Sequence, residues 1–266
     1  MYKKIFHTIL VLAVIAFSAS CSKTEPEQTS AITFATSIAP DIATRALSDG
    51  SGIDQVVCAA YLGGNLIAST TAPVADGAAN VTLELANNRT YDIVMWASKS
   101  GSTLWSFDPE TASVAATYAN QAASSAANDA FWYRGTITPN GPEAFSIELT
   151  RAVAQIYVGT STAFTSVSDV TLSATGIHNG WNLLTGALSE DVANVEFTLG
   201  AAPAGETFTI GSDTYYIIGM ACVLAPAAET ATDVAFSMTR DATPVSKTVN
   251  NTSIRRNWCT RIAGAF

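Results

Sequence analysis

Apolar and polar residues alternate with a period of two in five separate stretches of this chain. Val81-Thr82-Leu83-Glu84-Leu85 sets Val81, Leu83 and Leu85 on one face and Thr82 and Glu84 on the other. Residues 145–149, 170–174, 195–199 and 234–238 repeat the arrangement. Successive side chains of a strand point to opposite faces of its sheet, so one packed face and one wet face give this pattern. Each stretch is predicted to be an antiparallel, half-buried strand. Residues 91–97 and 215–220 are more uniformly apolar and are expected to be central strands. Turn chemistry falls between the strands. Gly63-Gly64-Asn65 joins 56–62 to 66–70, Gly211-Ser212-Asp213 joins 207–210 to 214–220, and Arg240-Asp241-Ala242-Thr243-Pro244 joins 234–239 to 245–249, each as a hairpin. Short strands with such regular turns predict an all-β chain built of β-sandwiches. Residues 111–127 are Ala- and Ser-rich with no apolar stripe, and are expected to be mostly surface loop with room for a short helix.

The first thirty residues follow another logic. Lys3 and Lys4 precede an uninterrupted apolar run at 9–17, then small residues Ser18-Ala19-Ser20, then Cys21. The run is shorter than the roughly 18 apolar residues that a spanning helix needs. It reads as the signal peptide of an exported lipoprotein, residues 1–20, with Cys21 as the lipidated residue. Ser18 stands where the usual lipobox has Leu, and an ordinary secretory signal with an incidental Cys21 is the alternative. Residues 21–30 are polar and proline-bearing, too poor in apolar surface to order themselves, and read as a tether. Anchoring in the outer-membrane lipid, with the folded part exposed on the cell surface, is the expected location.

Charge narrows the partners. The chain has 13 Lys and Arg against 22 Asp and Glu, a net charge of −9, and loss of the signal peptide removes two lysines and no acid. Such a chain is not expected to bind nucleic acid. Beyond Cys21 the cysteines are Cys58, Cys222 and Cys259. At most one disulfide can form among three, and the favoured reading is three small buried hydrophobes.

The sequence offers little catalytic chemistry. His178 is the single histidine past the signal peptide, flanked by glycines in Gly176-Ile177-His178-Asn179-Gly180, and reads as a loop histidine. No nucleophile motif, zinc spacing, phosphate loop or calcium loop occurs, so no enzyme activity, cofactor or metal is expected. Of the five tryptophans, Trp96 and Trp258 lie in apolar strand patterns and are expected in the core. Trp105 and Trp181 are the better candidates for exposure, and for stacking a sugar.

Four motifs then resemble one family. Residues 31–38 followed by Ala43-Thr44-Arg45-Ala46, Asn128-Asp129-Ala130-Phe131-Trp132, residues 149–156 (Leu-Thr-Arg-Ala-Val-Ala-Gln-Ile), and Arg256-Asn257-Trp258-Cys259-Thr260-Arg261-Ile262-Ala263-Gly264 resemble, in order, segments of the fimbrillin-family, type V pilin-like lipoproteins of Bacteroidota. The resemblance implies two consecutive β-sandwich domains, the first transthyretin-like, and with a boundary near residue 150 they would occupy 31–150 and 151–266. It also implies cleavage after Arg45 by an arginine-specific protease, with Ala46 as the new N-terminus, and assembly with other pilin-like subunits by exchange of the strand at 32–38. Only Ala265 and Phe266 follow Gly264, where shaft pilins continue into a donor strand, so beside a pilus subunit the matching expectations are an accessory or anchor subunit in adhesion to a host or bacterial surface ligand, or a relative that never polymerises. The alternative is a carbohydrate-binding surface lipoprotein using Trp105 and Trp181.

Overall fold

The computed structural model describes residues 27–38, 50–119, 126–190, 192–202 and 205–266. The described chain is almost wholly strand, as the alternation predicts. The first half carries β1 (Thr29–Ile38), β2 (Gln55–Leu62), β3 (Asn65–Pro73), β4 (Ala78–Ala86), β5 (Tyr91–Ser98), β6 (Trp105–Asp108), β7 (Ser113–Ala116), β8 (Ala130–Ile137) and β9 (Glu143–Arg151). Seven of these join in the order β3-β2-β5-β8-β9-β1-β4. Only two residue pairs, Phe131 with Arg151 and Trp132 with Thr150, link β8 to β9. The sheet breaks into two leaves there, and both leaves contribute to one core: Ile32, Phe34, Val81, Leu83, Leu85 and Leu149 from one, Val56, Cys58, Ile93, Met95 and Phe131 from the other. This is the sandwich that the strand pattern predicts.

The second half carries β10 (Ala154–Thr160), β11 (Val167–His178), β12 (Gly180–Asn182), β13 (Val192–Gly200), β14 (Thr207–Ile210), β15 (Asp213–Val223), β16 (Thr230–Arg240), β17 (Thr243–Ile254) and β18 (Trp258–Gly264). Two four-stranded sheets result, β14-β15-β10-β18 and β13-β11-β16-β17. The three expected hairpins all form. At the tip of β16–β17, Asp241 and Ala242 hold φ of 46° and 66°. Two successive left-handed residues match the right-handed twist of the flanking strands. The Asp241 carboxylate holds that tip in place by accepting from the Thr165 and Ser166 amides and the Thr165 hydroxyl.

Two features depart from the sequence reading. Most pairings are antiparallel, but β1–β9 and β10–β18 run parallel; alternation within a strand carries no information about the direction of its neighbour. Residues 113–116 form β7, which pairs with β6 and with β12 from the second half. Ala112, Val114 and Tyr118 are buried, so this part of the Ala- and Ser-rich stretch is packed sheet. Its apolar residues are too small and sparse to make a stripe, and burial comes from partners distant in sequence.

The uniformly apolar strands have a definite cause. On β2 and β5, one face (Val56, Cys58, Ala60; Ile93, Met95, Ala97) fills the first core, while Ala59, Tyr61, Val94 and Trp96 join the second, which is dominated by β10–β18. A strand covered on both faces has no polar side to show.

Phe34 is fully buried on β1, its ring stacked 5.8 Å from that of Phe145. Truncating it leaves a cavity that flanking strands can only partly close. Phe34→Ala is expected to lower unfolding free energy by about 3–5 kcal/mol, measured by chemical denaturation.

Candidate functional site

Two places concentrate the residues of the sequence motifs. The first is the seat of β1. This strand pairs antiparallel with β4 from Thr29 to Ser37 and parallel with β9 from Ile32 to Ile38. Ser30, Ile32, Phe34 and Thr36 point inward and are buried, with the Thr36 hydroxyl donating to the Ala79 carbonyl at 3.0 Å. The first strand of the chain therefore fills a slot between two others. Val81, Leu83 and Leu85 on one side, and Ile147 and Leu149 on the other, complete its apolar surroundings. Beside the end of β1 lies a cleft of about 510 Å³ lined by Ile38, Ile53, Val74, Asp54 and Asp76 among others. Asp54 is engaged there by Lys99 and by the Ser100 amide and hydroxyl, and the Lys99 contact holds its carboxyl below the ordinary aspartate range.

The second place is the junction between the halves, where the other three motifs meet. Asp129, just before β8, is fully buried; Arg151, ending β9, is 4% exposed. The Arg151 Nε lies 3.0 Å from both carboxylate oxygens of Asp129, whose Oδ1 also accepts from the Ala130 amide at 2.9 Å. Gln155 on β10 donates to Asp129 Oδ2 at 3.4 Å, and the guanidinium of Arg151 lies over the Phe131 ring. Ion pairing and hydrogen bonding offset the desolvation that an isolated buried charge would suffer. The Trp105 indole donates to the Asn128 carbonyl at 2.7 Å, fixing the residue next to the pair. The closing motif arrives beside them. The Asn257 amide donates to the Val153 carbonyl, and Cys259 pairs with Gln155 across β18 and β10. The Arg256 guanidinium carbon sits 4.0 Å from the ring centre of Trp181 and 5.2 Å from that of Trp132.

Several expected positions need correction or placement. Trp105 is 4% exposed and Trp181 is 2% exposed, so neither presents a face on which a sugar could stack. Trp105 packs edge-on against Trp96 and Tyr118, and Trp181 against Trp132. The sequence around each is polar and glycine-bearing because it belongs to short strands that are buried by distant partners. Conversely Trp258, expected in the core, is 45% exposed at the start of β18, with the Arg255 guanidinium 3.9 Å over its ring. His178 ends β11. Its Nδ1 is 2.7 Å from the Ser189 carbonyl, so that nitrogen carries the proton and donates, tying the ring to a turn. Its own carbonyl accepts from the Tyr118 hydroxyl. Cys58, Cys222 and Cys259 are buried, as read from the sequence, and burial pushes the Cys58 thiol up to about 12. Cys21, Arg45 and Ala46 lie outside the described residues. The Asp129–Arg151 pair and the Arg255–Trp258 stack were not anticipated. Asp129, Arg151 and Trp258 sit in the motifs quoted above and Arg255 directly precedes the last of them, and a charged residue in or beside an apolar motif was the available signal in a chain only 13% charged.

The model of a family described as a family of unknown function, DUF6562, matches residues 23–266. None of the curated proteins matches the chain. Among solved structures the chain is similar to a candidate cell adhesion protein from Bacteroides ovatus, at 10% identity and a TM-score of 0.55, over 89% of this chain and 92% of that one. It is similar to a candidate adhesin from Bacteroides thetaiotaomicron, at 14% identity and a TM-score of 0.53, over 85% and 81% of the two chains. Candidate polysaccharide-binding proteins from the same organism follow at 11% identity and 0.50, over 83% and 80%. Identities this low carry the fold alone. At the level of fold they agree with the resemblance drawn from the four motifs.

Removing one partner of the junction pair strands the other charge in the core. Asp129→Asn is expected to destabilise the protein by about 3–5 kcal/mol, whereas Asp129→Leu combined with Arg151→Met should recover most of the loss. A double-mutant cycle on denaturation midpoints measures the coupling.

Proposed function

We propose that this chain, which belongs to the DUF6562 family, is a non-enzymatic, lipid-anchored surface protein of the fimbrillin type, serving adhesion as a pilus subunit or as an accessory or anchor subunit. The observation that carries the reading is the seat of β1: a buried first strand held between β4 and β9, ending seven residues before Arg45. Cleavage after Arg45 would detach β1 together with the lipid on Cys21. The vacated slot would then expose the backbone groups of β4 and β9 and the apolar side chains of Val81, Leu83, Ile147 and Leu149. A strand from a neighbouring subunit restores both ladders and fills the same pockets, which is recognition by β-augmentation. After the cut, β4 stays tied to β3 through the short Val74–Gly77 connection, where Ala75 and Ala78 exchange backbone hydrogen bonds. The rest of the first core, on β2, β5, β8 and β9, is retained. The fold likeness to candidate adhesins supports the adhesive part of this reading. Two domains meeting near residue 150, at the Asp129–Arg151 junction, complete the proposal. An anchor subunit would keep Arg45 intact and stay on the outer membrane; a shaft subunit would lose it.

Treatment of the full chain with an arginine-specific protease separates the outcomes. We expect a product beginning at Ala46, identified by mass spectrometry, that forms oligomers on size exclusion, while Arg45→Ala stays uncut and monomeric. In cells fed an alkynyl fatty acid, the label should leave with the fragment ending at Arg45. A cut product that remains monomeric excludes strand exchange for this chain, and an intact Arg45 under the same treatment excludes processing.

A further inference from the structure

The turn between β17 and β18 carries an arrangement that strand exchange does not use. Arg255, Arg256, Asn257 and Trp258 are consecutive, with Asn257 held at a φ of 57°. Asn257 and Trp258 are exposed, and the two arginines are partly so. In a chain of net charge −9, two adjacent cations beside an exposed tryptophan form a local basic and aromatic spot.

The two arginines are held differently. Arg255 lies flat on Trp258. Under this cover Trp258 as a residue remains 45% exposed. Arg256 is anchored by Trp181, itself held edge-on by Trp132 at 4.4 Å. Its Nε is buried with no acceptor, and the side chain makes no hydrogen bond or ion pair among the described residues. Burial lowers its pKa. The contrast with Arg151, equally committed to an aromatic neighbour but paired with Asp129, is instructive. A guanidinium that has lost part of its water, and that meets only aromatic rings among the described residues, keeps donors with which to take an anion.

We propose that Arg255, Arg256 and Trp258 form a binding site for a carboxylate-bearing sugar. The guanidinium groups take the carboxylate, the free part of the Trp258 ring takes the apolar face of the sugar ring, and the Asn257 amide is placed to bond hydroxyls. An acidic peptide would satisfy the arginines but gives no use to a half-exposed indole, whereas a sugar acid engages both. Uronates and sialic acids share this chemistry. The site names a ligand class for the adhesive role proposed above and rests on that role only for its biological meaning. Binding by the single chain requires neither cleavage at Arg45 nor assembly, so failure here leaves the assembly reading untouched, and the reverse also holds.

The test is calorimetric titration of the full mature chain with a galacturonate tetramer and with 3′-sialyllactose, against the neutral galactose tetramer and lactose. At least one acidic sugar is expected to bind ten-fold or more tightly than its neutral match, with affinity falling as salt is raised. The acidic sugar that binds identifies the source. Trp258→Ala and Arg256→Ala should each weaken binding at least ten-fold, and Arg256→Lys should not restore it, because a point charge cannot make the planar two-point contact of a guanidinium. Arg89→Ala, which removes a distant exposed cation paired with Glu27, should change nothing. Arg256 packs on buried rings, so melting curves accompany each variant; should Arg256→Ala fail to fold, the exposed Trp258→Ala and Arg255→Gln variants decide. Equal affinity for acidic and neutral sugars, unchanged affinity in Trp258→Ala, tighter binding of a poly-glutamate peptide, or no binding of either acid overturns the proposal.

Discussion

The buried pair of Asp129 and Arg151 is the constraint around which the two halves are arranged. A carboxylate with no solvent access must have its charge and its lone pairs answered locally, or the fold loses several kcal/mol. The answer requires three pieces of chain in register: the segment entering β8 with the amide of Ala130, the end of β9 and the start of β10. Satisfying one carboxylate therefore fixes the angle at which β9 gives way to β10. Ala152 reinforces the same crossing by donating its amide to the Ala130 carbonyl at 2.8 Å. A pair of well-packed apolar residues could stabilise this place as much. What such residues lack is direction, and a guanidinium Nε shared between both oxygens of a carboxylate supplies it.

From that crossing follows the continuity of the core. β2 and β5 present one face to the first sandwich and the other to side chains from the second half. The three-stranded sheet of β6, β7 and β12 draws its strands from both halves. Tyr118 closes the arrangement, its hydroxyl donating to His178 and accepting from the Leu224 amide while its ring meets Trp105 and Phe197. The halves are thus joined by sheet pairing, aromatic packing and hydrogen bonds together, which is more than an ordinary linker-separated interface holds.

Which parts of this were legible in the sequence follows from how locally each is determined. Val81, Leu83 and Leu85 announce β4 because their burial depends on the pleat of their own strand. Asp241-Ala242 announces its hairpin because turn geometry is set within four residues. Trp105 and Trp181 were misjudged because their burial is decided by strands that lie tens of residues away and that are themselves too short to register as patterns. Trp258 erred in the opposite direction: its segment is apolar, but β18 is the edge of its sheet, and the position facing away from Cys259 meets water. The junction pair fell between these cases. Its residues were visible within motifs, yet nothing local says that a charge at 129 finds its partner at 151.

The seat of β1 is enclosed by β4 on one side and β9 on the other. A strand held on both sides cannot be exchanged for just any extended segment, since its inward side chains must fit pockets of fixed depth. Ser30 and Thr36 occupy the ends of the slot and Ile32 and Phe34 its middle, all four buried. Phe34 is further specified by the stacked ring of Phe145 on β9, and Thr36 by the carbonyl of Ala79 on β4. Any strand that takes this place has to bring small polar groups at the outer inward positions and large apolar groups at the two central ones. A register slip of one residue would turn those groups to solvent and bury the outward set instead. The slot therefore specifies its occupant by sequence as well as by backbone, and the specification is written in residues of β4 and β9.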